Sequence, residues 1–63
     1  MARDDHKSIR ELRADARLSI RDLAGRTGIN RGRLSIIERG VIPSAEELRR
    51  ILDAIGTAKG EGA

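Results

Sequence analysis

The sequence has no cysteine and no phenylalanine, tyrosine or tryptophan. Without cysteine, neither a disulfide nor a thiolate metal site can hold the fold together. The one histidine, His6, cannot build a metal site alone; the expectation is that it is idle and that the chain uses no metal and no cofactor. Without aromatic rings the chain lacks the platforms on which single-strand binders and RNA-recognition modules stack bases. One valine and two threonines are too few strand formers for a sandwich or barrel. No apolar run approaches the roughly 18 residues that a membrane span requires. The first seven residues carry no apolar core of a secretory signal, so the expectation is a cytoplasmic chain with no membrane partner. An enzyme is not expected either. Ser8, Ser19 and Ser44 each have a helix to cap, no base stands beside them, and a chain this small leaves no room for a substrate pocket.

What is present is aliphatic and charged. Sixty-three residues make one domain. A domain of that size buries only about 60% of its unfolded surface, so stability must come from aliphatic packing and well-made helix ends. Thirteen basic residues face ten acidic ones, for a formal charge of +3. Lys7 and Lys59 are the only lysines; all other cations are arginines. Arginine's planar fork suits phosphates and guanine edges. Codon usage produces the same bias, and composition alone does not choose between the two.

Hydrophobic spacing divides the chain into a flexible N-terminus over 1–7, a helical domain over 8–56 and a disordered tail over 57–63. A first helix is expected over 8–16, with Ile9, Leu12 and Ala16 on one face and a Ser8–Glu11 capping box. A second is expected over 20–26, capped by Ser19, with Ile20, Leu23, Ala24 and Thr27 at helical spacing and Gly28 as its stop. A third is expected over 31–39, capped by Asn30, with Leu34 and Ile37 inward and Gly40 at its end. After Val41 to Pro43, Ser44 and Glu47 open a fourth helix with the stripe Leu48, Ile51, Leu52 and Ile55, stopped by Gly56. The fold class is therefore all-α, a compact bundle of four short helices.

Residues 19–40 carry the functional signal. Two short helices are joined by a turn containing Gly28, with Ile29 apolar and able to plug the gap between them. The third helix leaves Gly32, Ser35, Ile36 and Arg39 outside, flanked by Arg31 and Arg33. Two arginines in a first turn oppose the positive end of the helix macrodipole. Gly32 costs about 1 kcal/mol relative to alanine there, which a closely approaching groove wall or phosphate would explain. Ile36 can meet a thymine methyl, or be covered by the fourth helix or a second copy. Arg39, near a helix C-terminus, also has a purely structural explanation. Arg49 and Arg50 are expected to be solvated.

On these residues the segment resembles the Cro/phage-repressor type of helix-turn-helix, the XRE-like regulators. The resemblance is carried by Leu23-Ala24, Gly28, Asn30-Arg31, Leu34, Ile37-Glu38-Arg39-Gly40, Pro43, and residues 48–55. It implies a lambda-repressor-like bundle of about five helices, of which this chain offers four. It implies a transcriptional regulator, most simply a repressor, that binds double-stranded DNA with helix 31–39 in the major groove. It assigns Asn30, Arg31, Gly32, Arg33, Ser35 and Ile36 to bases or adjacent phosphates, and Ser19, Ile20, Arg21, Arg39, Val41 and Ser44 to the phosphate backbone. It pairs Glu38 with Arg13 as a structural contact. A homodimer on a palindromic operator is compatible with it. The alternative is a protein-interaction module of a regulatory or antitoxin-like complex, contacting its partner through Val41 and Ile42, which are consecutive and apolar; the same loop can instead pack under the fourth helix.

Overall fold

The computed structural model describes residues 8–61. The expected flexible N-terminus with His6, and the last two residues of the expected tail, lie outside the described residues. Four helices follow one another: α1 (Ile9–Asp15), α2 (Ile20–Thr27), α3 (Arg31–Glu38) and α4 (Ala45–Glu61).

Each start is made by a short polar side chain, because the first N–H groups of a helix have no intrahelical acceptor. At α1, Glu11 N–H donates to Ser8 Oγ at 3.1 Å, and Ser8 N–H donates to the Glu11 carboxylate at 2.8 Å. At α2, Asp22 N–H donates to Ser19 Oγ at 2.9 Å and Ser19 N–H to Asp22 at 3.0 Å. Hydrogen bonding from Ser19 to the carboxylate, its backbone N–H first and its side chain second, holds the Asp22 carboxyl below its usual range. At α4, Ser44 and Glu47 close the same box at 2.9 and 3.1 Å. α3 starts differently: Asn30 Oδ1 accepts from Gly32 N–H at 2.7 Å, with no acid in the first turn.

The chain turns sharply between α2 and α3. Gly28 sits at φ 77° and its N–H donates to Ala24 O at 2.8 Å; a side chain is disfavoured in this left-handed conformation. Arg17, between α1 and α2, also has a positive φ, 60°, the one non-glycine to do so among the described residues. That conformation costs an L-residue about 1–2 kcal/mol.

α2 packs against both α3 and α4. The core consists of Leu18, Leu23, Ile29, Leu34, Ile37, Ile51, Ala54, Ile55 and Ala58, with Ile9, Leu12, Ala16, Ile20 and Ala24 packed on it. Ile29 is buried in the turn, as its apolar character required. Thr27 is buried with it: its hydroxyl donates to Leu23 O at 2.8 Å and accepts from Ile29 N–H at 3.1 Å. One side chain thus closes α2 and satisfies a buried donor in the turn.

The structure corrects the reading of α4 in two respects. Gly56 does not stop the helix, which continues through Gly56 and Gly60 to Glu61, so residues 57–61 are not a disordered tail. The extension carries a buried residue, Ala58, one turn beyond Ala54 and in the same core cluster as Leu18, Ala54 and Ile55, with Ala16 packed against that cluster. Its burial works with that of Ala54 and Ile55 against two helical glycines, each costing about 1 kcal/mol relative to alanine. The inward stripe is also rotated. It comprises Ile51, Ala54, Ile55 and Ala58, whereas Leu48 and Leu52, expected inside, are 38% and 46% exposed.

Candidate nucleic-acid interface

α3 faces the core with Leu34 and Ile37. At 3.6 residues per turn, the opposite side of the helix is centred on Gly32 and Arg39. Arg31 and Ser35 lie toward one edge and Ile36 toward the other. Arg31, Gly32, Ile36 and Arg39 are exposed and Ser35 is half-buried. Ile36 is 41% exposed, so α4 does not cover it. Among the described residues neither Arg31 nor Arg39 forms an ion pair.

Both rims of α3 are tied down by ion pairs. On the α1 side, Arg13 donates to both Glu38 carboxylate oxygens, Nε at 2.7 Å and NH2 at 3.1 Å, and its NH1 donates to Leu18 O at 2.9 Å. One guanidinium therefore joins α1, the α1–α2 turn and α3. The bond to Glu38 outweighs desolvation and raises the Arg13 pKa.

On the α4 side, Arg33 donates to Glu47 through Nε at 2.9 Å and NH2 at 2.8 Å. Glu47 is the same acid that closes the α4 capping box with Ser44. These contacts, Arg33 first and the Ser44 N–H second, hold the Glu47 carboxyl down at about 2. Arg33, expected at the base edges, is thus directed toward α4. Its partner was not evident in the sequence, since residues 33 and 47 lie on different helices.

Gly32 also has a local reason to be glycine. A Cβ there would meet Asn30 Oδ1 at 3.0 Å, so the cap oxygen occupies the space beside it. The close approach expected of a ligand is made by the chain's own asparagine. Asn30 itself is exposed but engaged as a cap.

The residues expected to face phosphates lie at three separate places. Ser19 and Arg21 are exposed and Ile20 half-buried at the start of α2, where the N–H groups of Ile20 and Arg21 have no intrahelical acceptor. Arg39 caps the end of α3. Val41 and Ser44 flank the α3–α4 connection, which Gly40 opens at φ 129°. Val41 and Ile42 do not pack under α4; they are 43% and 85% exposed. Arg49 is exposed, and Arg50 reaches Glu46 at 2.7 Å in an exposed pair of little energetic weight.

A tight glycine turn that throws an arginine-bearing helix outward from an aliphatic bundle is the geometry of a helix-turn-helix. A family profile described as a helix-turn-helix domain matches residues 8–62. The chain belongs to that family, a helix-turn-helix family of the Cro/XRE-like type. No curated protein and no solved structure matches it. The helix-turn-helix domain is a DNA-binding fold, and the matched span reaches past Gly56, in keeping with the long α4. Among the described residues, no His, Cys, Asp and Glu side chains group to hold a metal ion, and no helix is long and apolar enough to cross a membrane.

Proposed function

We propose that this helix-turn-helix domain binds double-stranded DNA sequence-specifically as a transcription regulator, most simply a repressor that occludes its operator. α3 lies in the major groove. Arg31 and Ile36 read base edges, a guanine and a thymine methyl being their natural partners, with Ser35 beside them. Arg39, Arg21 and the free N–H groups opening α2 hold phosphates and set the register. Asn30, Gly32 and Arg33 act one step back: the first two shape the start of α3, and Arg33 locks α3 to α4.

The observation that carries this reading is the outward side of α3. It exposes Arg31, Gly32, Ile36 and Arg39 with no acid among them, while Glu38 and Glu47 are consumed at the rims by Arg13 and Arg33. A merely solvated helix would favour i,i+4 pairs of opposite charge there.

Selection of sites from random duplex DNA tests the proposal. A defined motif is expected, and two half-sites about 34 Å apart if two copies bind. Arg31→Ala is expected to cost about 1–3 kcal/mol on the best site and to relax preference at one base pair. An unchanged motif with Arg31→Ala contradicts its assignment.

One observation favours a second reading, a module that contacts another protein, as in a regulatory or antitoxin-like complex. Val41, Ile42, Leu48 and Leu52 are exposed apolar side chains, and such surfaces mark contacts when contiguous. Duplex binding that is absent, or insensitive to salt, favours it over DNA recognition.

A further inference from the structure

We propose that the groove between α1 and the C-terminal half of α3 is a binding site for one backbone phosphate of duplex DNA, with Arg10 and Arg39 as its cationic jaws. The groove is lined by Arg10, Arg13, Ser35, Glu38 and Arg39. It adds α1 to an interface otherwise built from α2, α3 and the connection to α4, and it rests on the DNA-binding reading above.

Three features fit a phosphodiester. First, Arg10 and Arg39 are exposed and form no ion pair among the described residues. Arg10 is the second residue of α1, where a cation opposes the helix macrodipole, so the helix gains nothing from it. Second, the only acid among the described residues that line the groove is already matched. Glu38 is held by both nitrogens of the Arg13 fork, and the two side chains are 10% and 17% exposed. They form a neutral floor rather than a source of repulsion. Third, among the described residues three arginines against one glutamate give the groove lining a formal +2, more than enough for a single negative phosphate, and Ser35 contributes a hydroxyl donor at its α3 edge.

Placement supports the same ligand. Ser35 and Arg39 belong to the outward side of α3, so a duplex lying along that side carries one strand past the groove. The first turn of α1 then becomes a second anchor for register, next to the base-reading helix.

The test is Arg10→Gln in the full chain, with duplex affinity measured across a salt series. Binding to every duplex is expected to weaken about tenfold and the salt slope to fall by about one. The melting midpoint is expected to stay unchanged, since Arg10 pairs with no described residue. On duplexes carrying a single uncharged methylphosphonate linkage, one position is expected at which Arg10→Gln causes no further loss. Native affinity and slope in Arg10→Gln, with the native chain still binding DNA, overturn the groove and leave the reading of α3 standing. Failure of the native chain to bind any duplex overturns both.

Discussion

Thr27 illustrates how much a single side chain decides in a bundle this small. Its hydroxyl both closes α2 on Leu23 O and accepts the Ile29 N–H, so the turn has no orphaned buried donor. Thr27→Val keeps the shape and the β-branch but removes the acceptor. The expected cost is about 1–3 kcal/mol, measured by denaturant unfolding; unaltered stability means the Ile29 N–H finds water instead. Asn30 and Gly32 form a similar local unit, one supplying the cap oxygen and the other the room for it. Arg17, strained at φ 60° with its side chain exposed, is an arginine that nothing in the structure explains.

Among the helices, α4 departs most from its local preferences. Two glycines and a polar C-terminal stretch argue for an early end, yet the helix runs 17 residues to Glu61. Ala58 buries the start of the last turn in the core cluster that also holds Leu18. Ala58→Asp places a carboxylate in that buried contact and is expected to fray the helix beyond Gly56, with less far-UV helical signal and a lower melting midpoint. An unchanged spectrum means the last turn stands without its packing. α3 is the converse case. Its two inward residues anchor it, and its stability depends on neighbours at both rims rather than on its own sequence, which puts arginines where the macrodipole disfavours them.

Across the molecule, the two bidentate arginine–carboxylate pairs work as braces. Arg13–Glu38 fixes α3 to α1, and Arg33–Glu47 fixes it to α4. A helix held on both sides is preorganised, and on the proposed function less ordering is needed when α3 meets a groove. The second brace is sensitive to acid. Glu47 has a folded pKa of about 2 against an ordinary value of 4.5. Its contribution is therefore present above about 4.5 and is lost as pH falls from there toward about 2. The difference in melting midpoint between the native chain and Glu47→Gln is expected to be constant above pH 5 and to shrink over that acid window. A difference independent of pH shows that the carboxylate charge is not what holds the brace.

Much of this was readable from the residue order because it depends on near neighbours. Caps act over two or three residues, so Ser8, Ser19, Asn30 and Ser44 marked all four helix starts, and Gly28 marked the turn. The apolar spacing of Leu23, Leu34, Ile37, Ile51 and Ile55 placed most of the core. Contacts between helices were a different matter. Whether Leu48 or Ala54 faces inward depends on how α4 rotates against α2, and whether the helix survives Gly56 depends on a surface for Ala58 that only the assembled bundle provides. Arg33 meets Glu47, and Arg10 shares a groove with Arg39, because folding brings together side chains far apart in the chain. Hydrophobic periodicity marks a segment as an amphipathic helix; which of its apolar residues end inside, and which charges meet across the gap between helices, are set by their packing.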